Sequence, residues 1–209
     1  MRPIARLTLL FLALCTVAAF VAPGARAAAS HVVISQFATR GPTAATDEFV
    51  ELYNPTATDV PINGWRLRYK SDTGASWSNF SGGAFAAGTV VKAHGYYLLT
   101  AVGYTGGVTG DKTYTDTLAG TAGHVGLIDG ASAAIDTVGY GATANAAEGG
   151  HPATVPGAGQ SIKRKSYSTG LVPGKGNGYD TNDNADNFTP PGTPAPRNSS
   201  SPIEDHGCP

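Results

Sequence analysis

Sulfur, charge and long apolar runs are all scarce in this chain, and each shortage closes off a class of protein. There are two cysteines, Cys15 and Cys208, and the initiator is the only methionine. Cys15 lies in an apolar leader, so Cys208 stands alone beside the C-terminus and no intrachain disulfide can form in the mature chain. A bare thiol on the chain end, or a bridge to another molecule, are the uses left to it. Charged residues are 14% of the chain, and no stretch sustains an apolar period of 3.6 residues between breakers, which argues against a helical architecture. There is no G-x-S-x-G elbow and no recognisable serine, histidine and acid set. The five histidines, His31, His94, His124, His151 and His206, are far apart and lack paired metal-ligand spacing. The run Gly139 to Ala144 matches a loose dinucleotide fingerprint. That chemistry needs a helix opening there, and Gly149, Gly150 and Pro152 leave no room for one.

The one long apolar run is at the start. Arg2 and Arg6 precede a stretch from Leu7 to Ala22 broken only by Thr8, Cys15 and Thr16, and Ala25-Arg26-Ala27 follows. Positive, apolar and small-residue regions in that order make a secretory signal, residues 1–27, cut after Ala27 with Ala29 as the alternative. The run falls short of the ~18–20 residues that span a bilayer, so no transmembrane anchor is expected after cleavage. Removing Arg2, Arg6 and Arg26 leaves 11 basic against 15 acidic residues, a formal charge of −4. A mildly acidic surface does not attract phosphate backbones, so nucleic acid is an unlikely partner.

What fills the mature chain is short alternation punctuated by Gly, Pro, Asn and Asp. Runs at Val32–Phe37, Phe49–Tyr53, Val60–Tyr69, Ser76–Phe80, Thr89–Lys92, Tyr96–Thr100, His124–Ile128, Ala133–Tyr140 and Ser161–Ser166 read as strands. Asp129-Gly130 between two of them marks a tight hairpin. So many short strands with no long helix predict an all-β, immunoglobulin-like two-sheet β-sandwich over residues 28–189. Trp65 and one of Tyr96 or Tyr97 are expected in its core. Residues 190–209, rich in Pro and Ser, are expected to be a mobile tail.

Two blocks then carry a resemblance. Asp47-Glu48-Phe49-Val50-Glu51-Leu52-Tyr53-Asn54-Pro55 and Asp59 to Leu67, with Gly64-Trp65-Arg66-Leu67 at its end, resemble the lamin-tail domain family. In that family an F-V-x-L-x-N strand is followed by a turn and a G-W-x-L strand. Ile135 to Gly141, Gln160 to Arg164 and Asp180 to Phe188 are similar to its bacterial secreted branch. The resemblance implies an immunoglobulin-like sandwich and a non-catalytic module of exported proteins, with no catalytic residues to carry across.

Three features bear on what such a module would bind. Asp180, Asn182, Asp183, Asn184 and Asp186 place oxygen ligands at short intervals, as calcium requires. However, Ala185 stands where a helix-loop-helix calcium loop needs glycine, and the same side chains can cap their own backbone. Arg66, Arg68 and Lys70 alternate along one strand, and Lys163, Arg164 and Lys165 follow one another on another. If these meet they form a basic face for an anionic envelope polymer. Trp77, Tyr96, Tyr104 and Tyr114 are candidates for a carbohydrate platform. The leading expectation is a secreted or surface-associated binding module for an envelope polymer or protein partner, a monomer or weak oligomer that Cys208 could bridge. The rivals are a small metal-dependent hydrolase, or its accessory subunit, using the Asp180–Asp186 loop, and a self-assembling surface protein.

Overall fold

A computed structural model describes residues 28–206; the leader and Cys208 lie outside them. Three sheets are present. The first has five strands in the order β11-β1-β2-β7-β8, built from Ile162–Lys163, Val33–Ala38, Phe49–Tyr53, Tyr96–Ala101 and Lys112–Tyr114. Only its β7–β8 pair is parallel. The second has the order β10-β9-β4-β5, from Ala134–Tyr140, Gly123–Ile128, Arg66–Ser71 and Ser78–Asn79. A small ribbon pairs β3, Val60–Pro61, with β6, Val90–Val91.

Alternation along the strands builds the core between the two large sheets. Ile34, Phe37, Val50, Leu52, Leu99 and Ile162 face inward from the first, and Leu67, Val125, Leu127, Val138 and Tyr140 from the second. Trp65 packs on the margin of this core. The expected two-sheet sandwich is therefore what forms. The run expected as one strand from Val60 to Tyr69 breaks in two, because Trp65 N–H turns back onto the Ile62 carbonyl and Gly64 takes a φ of +80°. That left-handed conformation favours glycine. Among the described residues no helix is long and apolar enough to cross a membrane.

Every residue of β1 and β2 is buried, on both faces. The cover on the outer face is the segment expected to be a loose tail. Residues 192–206 lie across the five-stranded sheet, beginning where Gly192 and Ser161 exchange backbone hydrogen bonds. Arg197 fixes the middle. Its main-chain N–H donates to Glu51 Oε2 at 2.6 Å, and its guanidinium reaches Glu51 Oε1 at 2.9 Å and Glu204, while stacking 3.8 Å from the Tyr96 ring. Tyr53 and Tyr96 donate their hydroxyls to Glu204 at 2.6 Å each. The composition of this segment forbids a regular ladder, but side-chain bonds to a buried carboxylate do not need one. Glu51 is fully buried, and the strap brings it the Arg197 cation.

Two predictions follow from these burials. Replacing Arg197 with Ala leaves Glu51 charged and uncompensated, and should cost about 3–5 kcal/mol in urea unfolding; adding Glu51→Gln should return part of it. Glu48 is also fully buried, and among the described residues only the Leu118 N–H bonds its carboxylate, at 2.9 and 3.1 Å. Burial pushes its pKa from 4.5 up to about 8, against the pull of that hydrogen bond. The fold thus favours the protonated acid: its contribution is full below about 4.5 and is lost as pH rises through about 8. Unfolding free energy should fall between those pH values with a slope of up to about 1.4 kcal/mol per unit from this group, and Glu48→Gln should flatten that slope.

Candidate functional site

Arg164 follows β11 and was expected on a surface basic face. It is wholly buried. Its Nη2 donates to both oxygens of Asp136 on β10, at 3.0 and 2.8 Å, and its Nε donates to the Ile34 carbonyl on β1 at 3.0 Å. Nη1 sits 3.2 Å from Asp180, and the guanidinium lies 4.9 Å from the Phe188 ring. Asp136 also accepts the Ile34 N–H at 2.6 Å, beside the bulge where β1 slips against β2. Burial alone would weaken the charge on Arg164, but Asp136, Asp180 and Glu148 outweigh it and hold the pKa above its usual value. Glu148 bears the counterpart of that crowding: burial, and then the Asp136 charge, push it up to about 7.

The acidic loop serves this same clamp, and its side chains are engaged within the protein. Asp180 is committed to Arg164, to Asn187 Nδ2 at 2.8 Å and to the Asn182 N–H at 3.0 Å. Asn182 takes a left-handed φ of 54°, which asparagine tolerates. Asp183 caps the short helix α1, Asn184–Asn187, by accepting the Ala185 and Asp186 N–H groups, and meets His151 at 2.8 Å. Asp186 pairs with Lys165 at 3.5 Å and accepts the Tyr179 hydroxyl. Asn184 is buried against the outer edge of β10: its Oδ1 accepts the Gly139 and Glu148 N–H groups, and its Nδ2 donates to the Thr137 carbonyl and Glu148. One side-chain amide thus stands in for a missing strand. The carboxylate and imidazole atoms that do converge among the described residues are those of His31, Asp136 and Asp180. The cation facing those two carboxylates is the Arg164 guanidinium.

The basic residues do not form one face. Lys163 belongs to the five-stranded sheet and the β4 stripe to the other. Lys70 is buried and bonded to Asn145, and Lys165 is taken by Asp186. Arg66 and Arg68 remain on the outer face of the four-stranded sheet, half-buried and without an ion pair to any described residue. Arg68 stacks 4.3 Å from the centre of the Trp77 ring, and its Nε is buried without a hydrogen-bond partner. Gly126 on the neighbouring strand makes the room: a Cβ there would lie 3.0 Å from both Trp77 Cζ3 and Arg68 Nε. Burial lowers the Arg68 pKa. Of the four aromatic platform candidates, Trp77 alone lies on this face. Tyr114 is in the core, Tyr96 lies under Arg197, and Tyr104 packs edge-on to Phe49.

Residues 25–142 match the model of the Lamin Tail Domain, more than half of the chain. The chain belongs to the lamin tail domain family. The solved structures that resemble it include a DUF4876 family protein from Bacteroides thetaiotaomicron, 13% identical, with a TM-score of 0.53 over 85% of this chain and 75% of that one. At that identity the likeness concerns the fold. No curated protein matches by sequence.

The lamin-tail match runs from β1 through β10 and takes in Arg66, Arg68 and Trp77. It ends before Arg164, the 180–186 loop and the strap. The lamin tail is a family of non-enzymatic domains. Beyond the matched residues, the C-terminal third of this chain closes one sheet edge and covers one sheet face. Neither role was legible as such. Each polar residue in it reads equally well as a surface group until its distant partner is known.

The role of Asn184 is open to measurement. Asn184→Ala strips two hydrogen bonds from the β10 edge and two from Glu148, and should cost about 3 kcal/mol, with aggregation through the bared edge. The loss should be equal in calcium and in chelator, because the amide serves the sheet; a loss confined to calcium buffer would reinstate a metal site.

Proposed function

We propose that this chain is a secreted, non-catalytic binding module that holds an anionic envelope glycan on the outer face of its four-stranded sheet, at Arg66, Arg68 and Trp77. The observation that carries this reading is the pair of arginines two residues apart, neither given a carboxylate by the fold, one of them stacked on a half-exposed tryptophan. A folded protein ordinarily gives its buried guanidinium nitrogens an acceptor, and no described residue supplies one to Arg68 Nε.

The chemistry suits a carboxylated or phosphorylated sugar polymer. Guanidinium groups offer forked donors that match carboxylate and phosphate oxygens, and alternate residues on a strand stand roughly 6–7 Å apart on one face. The electron-rich face of an indole attracts the electropositive C–H groups of a sugar ring. Gly126 keeps the surface flat beside them, so a chain can lie along the strands rather than enter a pocket. The secretory leader supports an envelope setting, and the formal charge of −4 disfavours unselective attraction to polyanions. Recognition on this reading is local.

Co-sedimentation of the mature chain, strap included, with envelope from the source organism tests it. Pelleting should be saturable, weaken with salt, and ignore calcium. Arg68→Ala and Trp77→Ala should each weaken it about tenfold, and Arg68→Lys should recover little, because an ammonium neither stacks nor forks. Pelleting unchanged by both alanine variants would move the site elsewhere on the protein.

A further inference from the structure

A groove of about 700 Å³ opens between the 171–177 loop and residues 194–197 of the strap. It falls within the usual range for ligand pockets. Val108, Leu171, Pro173, Pro194 and Pro196 give it an aliphatic wall and no aromatic ring lines it; the charged side chains Lys175 and Glu204 also line it, paired with Asp205 and Arg197. Leu171, on the lip, leaves 47% of its surface open. The floor carries charge. Lys163 of β11 is half-buried there, and no carboxylate of a described residue pairs with its ammonium. Arg197, also on the groove, is committed to Glu51 and Glu204. Lys163 and Leu171 line a second hollow as well, of about 340 Å³, that extends to Thr189 and Gly192. The ammonium therefore stands where two hollows meet beside the strap.

We propose that this groove binds an extended peptide segment of another protein, with an acidic side chain of that segment on Lys163. The charge argument is direct. A cation partly withdrawn from water, beside a second cation whose own carboxylates are already engaged, is stabilised by an anion brought to it. Burial, and then the Arg197 charge, pull the Lys163 pKa down against the opposing pull of Glu51. The walls decide between ligand classes. Sugars are held by aromatic faces, which this groove lacks, whereas proline, leucine and valine pack against alkyl side chains. Pro190, Pro194 and Pro196 offer no N–H, so the segment is not taken up as an added strand. Its side chains are read instead, and the carboxylate on Lys163 sets its position.

This site shares no residue with the Arg66–Arg68–Trp77 face, and the two can be separated in one experiment. Two labelled peptides alternating valine and proline, one with a central Glu and one with Gln, are titrated into the full mature chain by fluorescence polarisation. The Glu peptide should bind saturably, and the Gln peptide about tenfold more weakly. Lys163→Gln should abolish the difference, Leu171→Asp should repel the Glu peptide, and Arg68→Ala should change neither titration. Leu171→Asp alters an exposed side chain, so it keeps the test informative should Lys163→Gln fail to fold. Equal affinity for the two peptides, no saturable binding of either, or a preference that survives Leu171→Asp would overturn the proposal. So would displacement of the Glu peptide by oligogalacturonate at matched concentration, which would assign the groove to acidic sugars.

Discussion

A guanidinium sealed from water has to find acceptors in several directions at once, and the way Arg164 finds them determines how this domain closes. Its three nitrogens reach β1, β10 and the loop ahead of α1. Those elements belong to the two facing sheets and to the segment that seals the edge between them. Replacing such a network by apolar groups can be neutral for stability. Here its effect is geometrical: β10 is held opposite the bulge in β1, and the 180–186 loop is drawn in to serve both. Once that loop is in place, Asn184 falls against the open edge of β10 and supplies the pairing that no strand provides.

The same logic recurs on the outer face of the five-stranded sheet. Glu51 points away from the core on a strand whose neighbours are Ser35, Tyr53 and Tyr96, and the fold brings Arg197 to it from 146 residues away. A proline-rich segment without ladder hydrogen bonds is thereby ordered by side chains. Its route leaves a groove on one flank, lined by strap prolines, with Lys163 on its floor. On the opposite sheet no described carboxylate comes to Arg66 or Arg68, and Arg68 lies against Trp77 instead. The two candidate ligand surfaces thus differ for a structural reason: one is the margin of a covered face, the other a face left bare. Their linings differ accordingly, aliphatic against aromatic, and so does the class of ligand each suits.

Much of the framework was legible before any coordinates. Period-two alternation located most of the strands, because a side chain on a strand has only two directions to point. The run from Val60 to Tyr69 reads as one strand by alternation, yet it splits at Gly64, where the backbone takes a left-handed turn that alternation does not register. The basic residues were harder. Lys163, Arg164 and Lys165 are consecutive, so on an extended chain the middle one must point opposite to its neighbours. They were never able to share one face. The acidic loop was ambiguous for another reason: oxygens spaced for a cation are also spaced for capping turns, and here Asp180 meets a guanidinium while Asp183 caps α1.

By itself, then, the sequence determined the all-β class, the lamin-tail strands and the hydrophobic alternation that makes two sheets pack. These follow from local composition and from the period of the backbone. Only the tertiary structure decided which charges are sealed and which are left for a ligand. A strand pattern says which way a side chain points, and whether anything lies in that direction depends on segments far along the chain. Arg164 and Arg68 are both arginines on alternating strands; one faces two carboxylates and the other faces solvent and an indole ring. That difference, and with it the placement of any binding surface, exists only once the sheets and the strap are folded together.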